Sequence, residues 1–236
     1  NHKPAEENMG TISATSRIES DGRLVSEVTI STAGIYDLAF RGFVKRYPPR
    51  QLESIWQRIV SGVHPGARLL GFSSSDPEDL YSEFGIKFSY EVADYAITAG
   101  DYLLVKSPIS TNSFELIMEQ YMAAAGLPER NYAFNLGLTL GSTQSEELVL
   151  PPGYKVKNMP EAVSIDDGDI SYRMAYSADT PSESNPSLTV HYDKKFLIDS
   201  KQLSTEEYMS LKKILRASSR SGRGEIILET DNRGGK

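Results

Sequence analysis

The stretch that decides the fold is LPPGYKVKNMP at residues 150–160. Two prolines and a glycine favour a turn, and the residues that follow alternate in polarity. Tyr154 and Val156 lie on one side of this pattern, and Lys155 and Lys157 lie on the other. Alternation with a period of two is typical of a strand that buries one face. The stretch therefore predicts a turn that leads into a half-buried β-strand.

A late helix is predicted between this strand and an apolar stretch at residues 226–228. Ser204 and Glu207 have the spacing of a capping box, in which each side chain bonds the backbone N–H of the other residue. Apolar residues then recur with helical spacing through residues 208–215. This part of the chain is therefore predicted to close with a capped helix and a final strand.

The first half of the chain also combines strands with a helix. Residues 12–18 and 24–30 alternate between apolar and polar side chains, and the Asp21-Gly22 pair between them is typical of a β-hairpin turn. The segment 35–44 fits either another strand or the approach to a helix. The apolar residues of 52–63 then recur with helical spacing, which predicts an amphipathic helix.

These patterns predict an α+β protein, mainly β, with two domains. Residues 11–110 are expected to form an antiparallel sheet with one packed helix. Residues 111–130 are interpreted as a connector that could be helical, with Asn112 or Ser113 as the helix cap. Residues 131–230 contain several short strands before the late helix, a spacing that favours a β-sandwich-like domain.

Composition argues against several classes of function. The formal net charge is −7, whereas nucleic-acid binding depends largely on neutralising phosphates, so no nucleic acid is expected as a partner. The chain has no cysteine, which excludes disulfides, thiolate metal sites and cysteine nucleophiles. Only His2, His64 and His191 could supply imidazole, so no metal or other cofactor is predicted. The apolar runs are too short to span a bilayer.

Two motifs have the residue types of a chemical site, and each has a simpler structural interpretation. Ser61 and His64 could form a nucleophile and its base, but they lie at a predicted helix end, which favours a capping or surface role. The sequence Asp-Asp-Gly-Asp at 166–169 could offer carboxylates to calcium, but it lacks EF-hand spacing, and a tight turn is favoured. No catalytic, cofactor-binding or metal-binding residue is therefore predicted.

Three tyrosines and a basic cluster are the remaining candidates for binding. Tyr172, Tyr176 and Tyr192 could form a stacking platform for a sugar or a peptide, although their alternation also fits rings in a sheet core. The basic cluster is interpreted as cations that complement the dipole at a helix C-terminus, with a local basic patch as the alternative. Its members are Lys212, Lys213, Arg216, Arg220 and Arg223.

Residues 131–228 resemble the C-terminal domain of bacterial envelope proteins that are built around a transglutaminase-like core. The matching motifs are L-P-x-G-Y-x-V from Leu150, Met159-Pro160, E-Y-x-x-L-K from Glu207, and I-I-L at 226–228. The earlier A-F-R-G at 39–42 and the helix around Trp56 also look like the region between core and tail in such proteins.

The resemblance implies a non-catalytic accessory or scaffold region in the periplasm or cell envelope, with the transglutaminase-like core of its parent protein as partner. No export leader is recognised in this chain. The Cys-His-Asp triad of that core has no counterpart here, because the chain lacks cysteine.

We therefore expect a chain that is not an enzyme and that contacts protein or peptide. The alternative is an autonomous carbohydrate- or peptide-binding β-sandwich module. An independent hydrolase is disfavoured by the scarcity of histidine and the lack of cysteine.

Overall fold

The computed structural model describes residues 4–111, 114–179, 187–222 and 224–231. Within these ranges the chain forms fourteen β-strands and four α-helices. The strands are β1 (Met9–Ile18), β2 (Leu24–Thr32), β3 (Ala67–Ser74), β4 (Gly85–Val92), β5 (Ile97–Ala99), β6 (Tyr102–Val105), β7 (Phe134–Asn135), β8 (Leu140–Val149), β9 (Tyr154–Asn158), β10 (Val163–Asp167), β11 (Ile170–Ala178), β12 (Thr189–Ile198), β13 (Gln202–Leu203) and β14 (Ile226–Thr230). The helices are α1 (Ile35–Arg46), α2 (Pro49–Val60), α3 (Leu116–Met122) and α4 (Thr205–Ser221).

Eight strands form one mixed sheet in the order β10-β11-β12-β8-β1-β2-β4-β3. Its neighbouring strands are antiparallel except for β1 and β8, which run parallel with Gly10 opposite Ser142 and Ser16 opposite Leu148. A parallel pair needs a long crossover connection, and the chain from β2 to β7 supplies it. Strands from the two halves of the chain therefore share one hydrogen-bonded sheet.

The α+β, mainly β class and the late helix α4 are confirmed. The central pairing of β1 with β8, which joins residues 11–110 to residues 131–230, was not predicted. Period-two alternation shows which side chains share a face, but it does not show which strand lies alongside. The predicted connector contains the short helix α3, and its proposed caps Asn112 and Ser113 lie outside the described residues.

A smaller sheet with the order β5-β6-β14-β9 contains β9, the strand within residues 150–160. The turn at Gly153, with φ +88°, and the strand from Tyr154 are both confirmed. In the middle of this sheet β6 pairs with β14, with Val105 opposite Ile226. Both of these side chains are buried in the same hydrophobic core as the large sheet.

Most local predictions are confirmed. The hairpin between β1 and β2 turns at Gly22, whose φ is +84°, and α2 begins at Pro49. The capping box at α4 is complete, because the Glu207 N–H donates to Ser204 Oγ at 3.1 Å and the Ser204 N–H donates to Glu207 Oε2 at 2.8 Å. The open choice for residues 35–44 is settled, because they lie in α1.

One face of the large sheet is covered and the other is open. Along β1, Ile12, Ala14, Ser16 and Ile18 are buried, while Thr11, Ser13, Thr15 and Arg17 are exposed. The helices contact the sheet, with α1 on β1 and β2, α2 on β3, α3 on β8, and α4 on β10 and β11. Their buried residues belong to the same core as the inward strand residues, so they cover that face. In the described part of the chain, no helix is long and apolar enough to cross a bilayer.

Candidate functional site

A buried carboxylate lies at the centre of the covered face. Glu146 on β8 is 2% exposed, and its two oxygens accept hydrogen bonds of 2.5 Å from Ser16 Oγ and Ser107 Oγ. Burial raises the pKa of Glu146 to about 7, because the ionised form loses its water. The two serine hydroxyls and the backbone N–H of Ile109 act in the opposite direction, because they stabilise the carboxylate.

A buried ion pair lies on the same face of the sheet. Lys194 Nζ on β12 is 2.6 Å from Glu115 Oε2, just before α3, and the two side chains are 1% and 5% exposed. Ser142 Oγ on β8 donates a 2.7 Å hydrogen bond to the other Glu115 oxygen. Charge pairing and hydrogen bonding together make the burial of these groups tolerable. The pair holds the start of α3 against the sheet.

These two clusters contain the serine, carboxylate and lysine groups from which a nucleophilic site could be built. Ser107 and Ser142 are each 1% exposed, however, so neither hydroxyl is open to a substrate in this structure. One cluster joins Ser107 to the sheet, and the other joins Glu115 to it. The geometry therefore supports a structural role for them.

The three candidate tyrosines lie within the fold. Tyr172 and Tyr192 are each 1% exposed, and Tyr176 is half-buried. The Tyr176 and Tyr192 rings are 4.9 Å apart, and the Tyr172 ring packs edge-on against Phe196. Burial raises the pKa of Tyr176 to about 12. A ligand that stacks on a ring needs an exposed ring face, so the interpretation of these residues as sheet core fits the structure.

Ser61 and His64 do not form a nucleophile and its base. Ser61 Oγ donates to the Gln57 carbonyl at 2.8 Å. His64 Nδ1 instead accepts a hydrogen bond from the Gly66 N–H at 3.1 Å. Each side chain serves the turn that ends α2, as the simpler interpretation predicts.

The acidic run at 166–169 forms the turn between β10 and β11. Gly168 has a φ of +61°, which suits a two-residue hairpin loop. Asp167 accepts a hydrogen bond from Ser210 Oγ, which fastens α4 to this hairpin. Across the ranges that the structure describes, no group of three or more histidine or acidic side chains is arranged to bind a metal ion.

The basic cluster lies on the second half of α4. Lys212 Nζ donates to the Ala125 carbonyl at 2.8 Å, while Arg216 and Arg220 are exposed. Of these three cations only Arg220 lies in the last turn of α4, so it alone fits the dipole interpretation. Arg223 lies outside the described residues.

One accessible feature is the uncovered side of the large sheet, which we call the open face. It is formed by the outward residues of β4, β2, β1, β8, β12 and β11. Its central rows are Glu27, Thr15, Glu147 and His191, and beside them Thr29, Ser13, Ser145 and Asp193. These rows line a shallow depression of about 390 Å³.

The composition of the open face restricts what it can bind. In the described strands that form it, the outward residues include no phenylalanine, tyrosine or tryptophan. Its two central rows combine short hydroxyl side chains with the carboxylates of Glu27, Glu147 and Asp193, and cations such as Lys87 lie beside them. His191 Nε2 is 3.1 Å from a carboxylate oxygen of Asp179. In its described strands the face is therefore mostly polar, mixed in charge and without the rings of phenylalanine, tyrosine or tryptophan.

Sequence reasoning identified the outward residues of separate strands but did not identify this surface. A signal was present, because Thr11, Ser13 and Thr15 alternate with the buried residues of β1. What it could not show was that these residues lie beside Ser145 and Glu147, because that neighbourhood depends on the parallel pairing of β1 with β8.

The fold and this geometry define an α+β scaffold with sealed internal polar clusters and one open polar sheet face. A family model described as "Domain of Unknown Function with solved-structure structure (DUF3858)" matches residues 102–228, which is more than half of the chain. The chain therefore belongs to the DUF3858 family. The match begins at β6 and ends within β14, two strands that pair with each other. Neither the curated proteins nor the solved structures contain a match. The resemblance to transglutaminase-like envelope proteins is not tested by this family match and stays a prediction.

Proposed function

We propose that this chain is a non-catalytic accessory module that binds a protein partner through the open face of its large sheet. The observation that carries the proposal is the open face itself, a surface of mostly polar outward side chains across six strands. Ser13 and Ser145 are paired at its centre, where small side chains let the surface of a partner approach closely. A surface of this kind suits binding rather than chemistry.

The chemistry of the face favours protein over glycan. Carbohydrate sites commonly use exposed rings of tyrosine, tryptophan or phenylalanine, and none of these residues lies among the described outward residues of the open face. Glu27, Glu147 and Asp193 instead stand near Lys87 and Lys195, so the face offers charge pairs to a polar protein surface. This supports the protein-contact role over the carbohydrate-binding alternative.

The sealed internal clusters support a non-catalytic role. The serine, glutamate and lysine groups with nucleophilic or acid–base potential are Ser107, Glu146, Ser142 and Lys194, and all are nearly fully buried. Their hydrogen bonds are made to one another and to neighbouring segments. The purified chain should therefore show no amide or ester hydrolysis. Measured turnover that Ser107→Ala abolishes in a folded variant would overturn this role.

The partner that we propose is a transglutaminase-like core, and the compartment is the bacterial envelope. Both come from the resemblance of residues 131–228 and the motif at residues 150–156. The open reading frame that encodes Asn1 would test this link directly, since a Cys-His-Asp core encoded in the same frame would support it. A frame without such a core would leave the binding role in place and remove this partner.

The binding test uses substitutions at the centre of the open face. Thr15→Arg and Ser145→Arg place long cations among small side chains and should weaken binding to a transglutaminase-like core by at least about tenfold. Thr98→Arg is a matched control, because Thr98 is exposed on β5 in the smaller sheet. Calorimetric titration of each folded variant measures the effect. The proposal would be contradicted if all three variants weakened the binding equally, or if none of them weakened it.

A further inference from the structure

A loop between β3 and β4 is held in one conformation by a buried arginine. Arg41 on α1 is 6% exposed, and its guanidinium donates to the carbonyls of Asp79 at 2.6 Å and Ser82 at 2.7 Å. The same group donates to the Asp76 carbonyl at 3.3 Å and pairs with the Asp37 carboxylate. A buried cation with this many acceptors fixes the path of the loop.

The loop also satisfies its own polar groups. The carboxylate of Asp79 accepts from the Tyr81 N–H at 3.1 Å and from Ser82 Oγ at 2.6 Å. The carboxylate of Asp76 accepts from the Glu78 N–H at 2.9 Å. The loop therefore needs no partner to order it, and docking would carry little of the usual ordering cost.

Two large apolar side chains extend from this ordered loop into solvent. Leu80 is 76% exposed, and Tyr81 is fully exposed. Leu38, next to Asp37 on α1, is 69% exposed as well. Tyrosine and leucine on a pre-ordered backbone form an anchor that a pocket could bury.

The anchor is surrounded by acidic side chains. Between residues 76 and 83 the chain has four carboxylates, those of Asp76, Glu78, Asp79 and Glu83. Lys45 pairs with Glu78 at 2.8 Å, whereas Glu83 is exposed. The loop, which we call the acidic anchor loop and define as residues 76–83, therefore suits an apolar surface with a cationic rim.

A groove with that chemistry lies elsewhere on the same chain. It runs between α4 and the turn at residues 126–128 and has a volume of about 650 Å³. Pro128 and Leu215 give it apolar lining, and Lys212, Arg216 and Arg220 line it with cations. Within the described ranges, neither Arg216 nor Arg220 forms an ion pair. We call this feature the basic groove.

We propose that the acidic anchor loop of one copy of the chain docks in the basic groove of a second copy. Tyr81 and Leu80 would pack on Leu215 and Pro128, and Glu83 would face Arg216 or Arg220. Charge complementarity argues for this occupant, because the net charge of −7 leaves the basic groove as a local exception on an acidic protein. Both of these surfaces lie outside the open face, so this docking is independent of the proposed function.

The contact joins two different surfaces, so the assembly is head-to-tail rather than two-fold symmetric. A single loop in a groove buries less than the roughly 1,200 Å² of a stable interface, so the association is expected to be weak. The like net charges of the two copies repel at long range, but physiological salt screens that repulsion beyond about 8 Å. Association should therefore be observed at high protein concentration and moderate ionic strength.

Sedimentation velocity of the full chain, up to about 1 mM at physiological salt, tests the proposal. The weight-average sedimentation coefficient should rise with concentration for the native sequence. Tyr81→Ser and Arg216→Glu should each weaken the association at least about tenfold. Ile97→Ser and Lys213→Glu are the controls, because these residues are exposed and lie outside both surfaces, and they should leave the association unchanged.

A charge exchange adds specificity to the test. A mixture of Glu83→Arg chains with Arg216→Glu chains should associate more tightly than either variant associates with itself. A chain that stays monomeric at about 1 mM would overturn the inference. Association that Tyr81→Ser and Arg216→Glu leave unchanged would also overturn it. The thermal melting temperatures of the variants should equal that of the native chain, because these side chains are exposed. Unchanged melting would show that the variants are folded.

Discussion

Ser107 Oγ donates a 2.5 Å hydrogen bond to the carboxylate of Glu146, and this contact joins the segment after β6 to the centre of the large sheet. The other carboxylate oxygen accepts from Ser16 on β1. Three parts of the chain that are distant in sequence therefore meet at one buried acid. The stability of the fold should depend on the protonation of that acid.

Glu146→Gln is expected to change how stability depends on pH. The pKa of Glu146 rises from an ordinary 4.5 to about 7 in the folded chain, because burial disfavours the ionised form. Between these values the folded state holds a proton that the unfolded state releases. The resulting stabilisation is complete below pH 4.5 and is lost as pH rises to about 7, a decrease of up to about 3 kcal/mol in the free energy of unfolding.

Urea denaturation at about pH 5 and about pH 8 measures this effect. The free energy of unfolding should fall less for Glu146→Gln than for the native sequence, because glutamine does not titrate. Glu147→Gln changes the exposed neighbour on β8 and should keep the native pH dependence. Identical curves for the native chain and Glu146→Gln would show that this acid does not titrate in that range.

Lys194→Met is expected to destabilise the fold by about 3–5 kcal/mol, because it leaves the Glu115 carboxylate buried without its cation. The double variant Lys194→Met, Glu115→Gln should recover part of this loss. Lys195→Met is the matched control on the same strand. Lys195 Nζ is 3.7 Å from Glu6 Oε1, and both of these side chains are exposed. Chemical denaturation compares the three. A loss as small as that of Lys195→Met would mean that the buried pair contributes little.

Tyr172→Ala and Tyr192→Ala should each lower the free energy of unfolding by about 3–5 kcal/mol, because each removes a buried ring from the core. Tyr132→Ala, at an 85% exposed tyrosine, should change it by less than about 0.5 kcal/mol. The same variants test the carbohydrate alternative. Binding of cell-wall fragments by the native chain, lost in Tyr192→Ala without loss of stability, would support that alternative.

Arg41→Met should release the acidic anchor loop, because the carbonyls of Asp76, Asp79 and Ser82 lose their shared donor. Chymotrypsin cleavage after Tyr81 under native conditions should become at least about tenfold faster, as expected for the loss of one or more hydrogen bonds. Arg58→Met on the exposed side of α2 is the control. Unchanged cleavage would show that Arg41 does not order the loop.

Several elements could be predicted from local sequence because their causes are local. The strand after Gly153, the hairpin at Gly22 and the capping box of Ser204 and Glu207 depend on residues a few positions apart. The buried acid left a weaker signal. Glu146 shares the parity of Leu148 and Leu150, so alternation alone points its side chain inward.

The open face and the basic groove were harder to predict than the local elements, and each for a different reason. The open face depends on Thr15 lying beside Glu147, which no local pattern specifies. The basic groove needs Leu215 and Arg216 of α4 to lie against Pro128. Of the predicted binding residues, Tyr172 and Tyr192 are buried in the core on the face of the sheet that the helices cover.

By itself the sequence determined the α+β class, the inward residues of the alternating strands and the start of the capped helix, because polarity periods and caps act over a few residues. Only the tertiary structure decided that β1 lies parallel to β8, that Glu146 meets Ser16 and Ser107, and that one face of the sheet stays open. The physical reason is that strand edges offer the same backbone groups to any partner. Which strands pair therefore depends on how the whole chain buries its apolar surface.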